Sequence, residues 1–230
     1  MGGQACVFYG AAQFSKDIDF LILAGEANFA GLRAALADLD ALRIAVPPFA
    51  PEHLARGHAV HYRCRADGVE GLRIDLMTRL RDLPAFGALW RRRATIRDEE
   101  GEVFDLLSVP DLVQAKKTQR EKDWIAIGAL VEGHYHAMHT EPTQERIIFW
   151  LKESRTPERL VALVSDFGEE AGRLQGTRHL LAHAIAGDLP ALRAALDAEA
   201  RAEQEKDRAY WEPLKRELEA FRRAERRTAE

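Results

Sequence analysis

The sequence predicts an α/β protein of the α+β kind: a small mixed β-sheet with flanking helices over residues 1–132, then an all-helical region over 133–230. Three segments carry the two-residue period of half-buried strands: Asp17–Leu23, Ala59–Cys64 and Leu72–Met77. Between the first two, Phe29, Leu32, Leu36 and Leu39 recur at three and four residues, the stripe of an amphipathic helix over 27–42. Beyond Glu132 only helical spacing recurs.

Taken in order, Gly2-Gly3 opens a short apolar helix over 4–11, and Gln13-Phe14-Ser15-Lys16 turns the chain into the first strand. In that strand Ile18, Phe20 and Ile22 alternate with Asp17, Asp19 and Leu21, so the two carboxylates share one face. After the helix at 27–42, residues 42–46 form a strand ended by Pro47-Pro48, and 51–56 one helical turn. The segments 59–64 and 72–77 pair through a loop carrying Asp67-Gly68 and Gly71. There Leu72, Ile74 and Leu76 share one face, while Arg73, Asp75 and Met77 share the other. A helix over 84–93 ends in Arg91-Arg92-Arg93, read as a solvated end that suits the helix dipole, and a hairpin follows over 94–107.

Ser108-Val109-Pro110-Asp111 has the chemistry of a helix start. If that helix continues, Lys116, Arg120 and Asp123 lie on one exposed face. His134, His136 and His139 fall at a helix end and read as loop histidines without a zinc spacing. Helices are expected over 142–153, 157–167 and 189–205, and Pro213 is expected to interrupt the last.

Composition narrows the function. The chain is 47% hydrophobic and 30% charged with net charge −4, the profile of a soluble globular protein without a basic nucleic-acid arm. No apolar run approaches the ~20 residues of a membrane span, and the start lacks a signal peptide. Cys6 and Cys64, the only cysteines, suit a reduced, cytoplasmic setting and read as small buried hydrophobes.

Two acids side by side on a strand repel each other unless a cation lies between them. Mg²⁺ is the usual solution, held by one or two carboxylates plus substrate phosphates. Gly2-Gly3 adds a backbone that a phosphate can approach closely. The bland alternative is a strand whose exposed face happens to carry two aspartates. Gly-Gly, a short gap and then Asp-hydrophobic-Asp, with Asp75 as third acid, resembles the signature of the nucleotidyltransferase superfamily, the DNA polymerase beta-like fold. Asp111-x4-Lys116 followed by Arg120-x-Lys122-Asp123 resembles a motif of AbiEii-type nucleotidyltransferase-like proteins, among them abortive-infection and toxin–antitoxin members. The competing reading of that stretch is a charged helix face with internal ion pairs.

The resemblance implies transfer of a nucleoside monophosphate from a nucleoside triphosphate to an acceptor, with release of pyrophosphate. It assigns Asp17, Asp19 and Asp75 to catalysis and to two Mg²⁺ ions. Gly2, Gly3, Ser15, Lys116 and Lys117 fall to the triphosphate, with Lys116, a surface lysine, as the preferred contact. The acceptor (RNA, protein or a small molecule) stays open, and an antitoxin-like partner protein is implied. Two other functions stay open: modification of an antibiotic hydroxyl by the same chemistry, and a catalytically silent nucleotide-binding or interaction module. Relatives carry a strand ahead of the glycines, so a natural start upstream of Met1 is also expected.

Overall fold

The computed structural model describes residues 1–229 and divides into two compact units. Unit 1 comprises Met1–Phe8, Ala12–Ala115 and the stretch from Ala209 on; unit 2 comprises Tyr9–Ala11 and Lys116–Arg208. Along the chain these units meet at 115/116 and again at 208/209, a different partition from the one expected at 132/133. Its cause is visible in α6 (Glu121–Met138), an unbroken helix whose side chains pack on α7 (Gln144–Glu153), where Trp150 Nε1 donates to His134 Nδ1 at 2.9 Å.

Unit 1 opens with α1 (Gly2–Phe8), β1 (Asp17–Leu21) and α2 (Glu26–Asp38). It continues with β2 (Leu42–Arg43), α3 (Pro51–Arg56), β3 (Val60–Arg63) and β4 (Arg73–Met77). Then come α4 (Phe86–Arg91), the hairpin β5 (Ala94–Arg97) and β6 (Val103–Leu106), and α5 (Val109–Ala115). The main sheet is mixed, in the order β1-β4-β3-β2: β1 runs parallel to β4, and β3 runs antiparallel to both β4 and β2. Ile74 and Leu76 of β4 join Val60 and Tyr62 of β3 with Phe29 and Leu36 of α2 and Leu54 of α3 in one apolar cluster. Burying that face sets the strand register, because a slip of one residue would send every apolar side chain to the opposite face. Cys6 and Cys64 are both buried and are not joined in a disulfide.

Unit 2 is helical: α6, α7, α8 (Pro157–Asp166), α9 (Gly168–Leu174), α10 (Leu181–Ile185) and the first part of α11 (Leu189–Ala229). Two expectations are corrected here and a third is refined. His134 and His136 lie inside α6, not in a loop, because Leu130 and Val131 keep the helix's apolar stripe buried up to that point. Pro213 lies inside α11 and does not interrupt it. The lost backbone bond is outweighed by what the following turns bury: Leu214 is 7% exposed, and the Phe221 ring stacks edge-on against His53 at 4.8 Å. In the Arg91–Arg93 run, Arg91 and Arg92 are exposed as expected, and Arg93 donates to the Trp90 carbonyl at the helix end, but the run is also paired: Arg92 forms a two-pronged pair with the buried Asp111, and Arg93 Nε donates to Asp105 at 2.7 Å.

His134 also makes a pH prediction. Its burial, and next the nearby Arg146, push its pKa below the usual histidine range. Its Nδ1 accepts the Trp150 proton, so the folded state holds the neutral ring. The unfolded chain therefore binds more protons below pH ~6.5, and stability falls as pH drops from there towards the folded value. His134→Asn, which keeps an acceptor but cannot titrate, is expected to flatten urea-unfolding stability between pH ~7 and ~5 relative to the wild type. Equal slopes would remove His134 as the cause.

Candidate functional site

The polar face of the main sheet gathers charges from three strands. In register, Asp19 of β1, Asp75 of β4 and His61 of β3 form one row, and Asp17, Arg73 and Arg63 form the next. All six alternate with residues of the apolar face, so strand geometry aims them the same way. Asp17, Asp19 and Asp75, read from the sequence as one site, are therefore neighbours on one face.

They are not equivalent. Asp75 is 7% exposed and accepts from Arg73 Nε and Nη2, both at 2.9 Å, one to each carboxylate oxygen. His61 Nδ1 lies 2.7 Å from the same carboxylate. Burial alone would raise the Asp75 pKa, but the bonds from His61 and Arg73 outweigh it and hold the carboxyl below the usual range. Arg73 also feels Asp17 and Asp19, and its own pKa is raised, first by the bond to Asp75. The cation that the acids require is thus partly built in.

Asp19 faces the glycines. Gly3 N–H donates to Asp19 Oδ2 at 3.3 Å, and the Met1 ammonium donates to the Asp19 carbonyl at 2.9 Å. Gly2 has φ +67°, and a Cβ placed there would come within 1.8 Å of Asp19 Oδ2. Both the conformation and the close approach demand glycine. The glycines form the first turn of α1 itself, where the sequence placed them just ahead of it. Ser15 closes the turn into β1, its hydroxyl donating to the Asp17 carbonyl at 2.8 Å.

Gly2→Ala is accordingly expected to destabilise more than Gly10→Ala. Gly10 has φ +71° with nothing near its Cβ position, so both substitutions carry the ~1–2 kcal/mol left-handed penalty and only Gly2→Ala adds the clash. Urea unfolding of the two variants measures the difference; equal losses would mean that Asp19 gives way freely.

β1 is an edge strand with one neighbour, β4. A cleft of about 710 Å³ runs along it, bounded by Gln4 and Phe8 of α1, Phe86 and Trp90 of α4, and Phe104 of β6, with Asp19 at its margin. The cleft is mostly apolar, and Phe8 stacks on Phe104 with ring centroids 4.9 Å apart.

The two lysines assigned to phosphate belong to unit 2, and both are engaged there. Lys116 is not a surface residue: it is 8% exposed, and its Nζ lies 3.0 Å from Asp123 Oδ1. Asp123 also accepts from Thr118 and from Arg120 Nε, the latter at 2.7 Å. α5 ends at Ala115 and α6 starts at Glu121, so these partners meet across a non-helical link and not along one helix face. Lys117 Nζ pairs with Glu153 of α7 at 2.8 Å.

Sequence reasoning missed His61 and left Arg73 without a role. Arg73 stands two residues before Asp75 in the same strand, and that spacing was the available signal. His61 alternates with Val60 and Tyr62, but its row could be read only from the β3–β4 register.

The donor set was tested against Mg²⁺. Asp75 spends both oxygens on Arg73, so a divalent cation would fall to Asp17 and Asp19, the latter of which also accepts from Gly3 N–H. Two carboxylates plus substrate phosphates suit Mg²⁺, so one ion fits, whereas three acids sharing two ions do not fit this arrangement. Consistently, no group of three or more His, Cys, Asp or Glu among the described residues is placed to hold a metal. No helix among them is long and apolar enough to cross a membrane. Comparisons with protein-family models, curated proteins and solved structures found no match.

Proposed function

We propose that this protein is a nucleotidyltransferase-like protein that binds a nucleoside triphosphate over the Asp17–Asp19 face. The reaction is transfer of the nucleoside monophosphate to an acceptor hydroxyl: the new bond forms at the α-phosphorus, the α–β bridge breaks, and pyrophosphate leaves. The observation that carries the reading is the row of acids from β1 and β4 next to a glycine turn whose N–H already reaches a carboxylate. Asp17 and Asp19 would hold Mg²⁺, whose role when bound is to offset phosphate charge. Gly2 and Gly3 add no side chains of their own beside Asp19, which the Gly3 N–H holds, and the bonds from His61 and Arg73 keep Asp75 ionised. The cleft along β1 offers apolar walls to a ring.

One observation favours a second reading, nucleotide binding without turnover: Arg73 occupies both oxygens of the third acid. The toxin-type role, its antitoxin-like partner and the acceptor rest on the motif resemblance of residues 111–123. Growth arrest on expression alone would support a toxin, and raised drug tolerance would support the antibiotic-modifying alternative.

Thermal melting with Mg²⁺ and a non-hydrolysable triphosphate tests the site. The wild type is expected to gain melting temperature, because the ligand binds the native state alone. The double variant Asp17→Asn, Asp19→Asn should be more stable without ligand, through relieved repulsion, and should show no gain. An equal gain in both would sink the proposal. Pyrophosphate release from hydrolysable triphosphates separates transfer from silent binding.

A further inference from the structure

A second cavity, of about 450 Å³, lies within unit 2, in the size range of small-molecule pockets. Trp124 and Arg155 wall one side; Leu196, Asp197, Arg201 and Gln204 of α11 wall the other. The Trp124 ring is fixed, its Nε1–H donating to the Thr118 carbonyl at 2.8 Å, and the Arg155 guanidinium rests 5.1 Å from its centroid. Glu199 and the Leu196 carbonyl in turn hold Arg155. The wall is therefore rigid, flat and partly aromatic.

Gln204 is the anomaly. It is 7% exposed, it lines the cavity, and its carboxamide makes no hydrogen bond within the described residues. Its amide atoms are not among the buried side-chain atoms left without a partner, so they open onto the cavity, where a ligand can supply both a donor and an acceptor. On the same helix, one turn apart, Asp197 and Arg201 face the cavity, and neither has an ion-pair partner among the described residues.

We infer that this cavity binds an adenine mononucleotide. A carboxamide pairs in bidentate fashion with adenine, accepting from the 6-amino group and donating to N7. A flat aromatic and guanidinium wall is what a base stacks on. Leu196 supplies apolar contact, Arg201 meets the phosphate, and Asp197 accepts from the ribose hydroxyls. The Arg201 charge takes the place of a divalent cation, so binding needs none, and the site is independent of the Asp17–Asp19 face.

Isothermal calorimetry of the full chain with AMP in EDTA tests this. Saturable binding at one site is expected, with GMP, CMP and UMP roughly tenfold or more weaker, the discrimination typical of one good bidentate pair. Gln204→Met, close in volume, should weaken AMP by roughly the same factor without lowering the melting temperature, since the amide opens onto the cavity and bonds to no other described residue. Arg201→Ala should weaken AMP but leave adenosine unchanged. The Asp17→Asn, Asp19→Asn variant should bind AMP as the wild type does, which separates this site from the triphosphate reading. Absence of AMP binding, AMP affinity in Gln204→Met within twofold of wild type, or loss of binding in the double aspartate variant would each overturn the inference.

Discussion

Replacing Asp123 with alanine is expected to destabilise unit 2 by about 3–5 kcal/mol, the usual loss when one partner of a buried pair is removed. Asp123 is 2% exposed, and its removal strands the Lys116 ammonium, itself 8% exposed, without its partner. Lys116→Met should lose less, because Asp123 keeps the Thr118 hydroxyl and the Arg120 guanidinium. Substituting both, Lys116→Met with Asp123→Leu, should recover most of the loss, since well-packed apolar residues often replace a buried pair at no net cost. Urea unfolding reads all three. A loss under ~1 kcal/mol for Asp123→Ala would mean that water reaches the pair, as at exposed pairs of that strength.

The same residue fixes an acid limit. Burial would raise the Asp123 pKa, but the Lys116 charge, with the bonds from Thr118 and Lys116 and the Arg120 charge, holds it below the usual range. A depressed folded pKa gives stability that is present above the unfolded value of ~3.9 and is lost as pH falls through the folded one. Asp123→Ala should therefore flatten the stability profile only below pH ~4.

Arg73→Met is expected to turn the acidic face into a divalent-cation site. The wild-type guanidinium saturates Asp75 and lies close enough to Asp17 and Asp19 for both to act on it. Without it three carboxylates share one face with no built-in cation. In EDTA the variant should lose about 1–2 kcal/mol, discounted from the buried-pair value because the Arg73 side chain is 38% exposed. In millimolar Mg²⁺ it should regain that loss; a ligand at a hundredfold its Kd adds about 2.7 kcal/mol. The wild type, whose Asp75 stays bound to Arg73, should respond less. A variant whose melting temperature ignores Mg²⁺ would show that the acids do not converge on a cation.

What the sequence revealed follows from where information is local. Alternation in 17–23 and 72–77 is a property of each strand alone, so the shared face of Asp17 and Asp19, and the opposed faces of Ile74 and Asp75, could be read directly. The bond between His61 and Asp75 could not, since it needs the pairing of β3 with β4, whereas Arg73 stands two residues from Asp75 in one strand. Lys116 and Asp123 were placed together for the wrong reason: helical spacing suggested a solvated face, whereas the chain breaks helix at Ala115 and folds the lysine inwards. Pro213 misled because intrinsic helix cost was weighed without the burial of Leu214. The short helices α9 and α10 have too few residues for periodicity to register.

The chain's route through unit 1 sets a timetable for its synthesis. Glu217, far along α11, binds Arg56 Nε at 2.9 Å and His58 Nε2 at 2.8 Å, and Glu225 pairs with Arg43 at 2.7 Å. These groups close over α3 and β2 only after all of Lys116–Arg208 has been made. At 5–20 residues per second the ribosome needs roughly 5 to 20 s to translate that intervening stretch. During that interval the sheet stands with its last cover still inside the ribosome, and His58, 1% exposed in the finished protein, stays open to solvent. Emergence of residues 217–225, not completion of the strands, is the event that seals the unit.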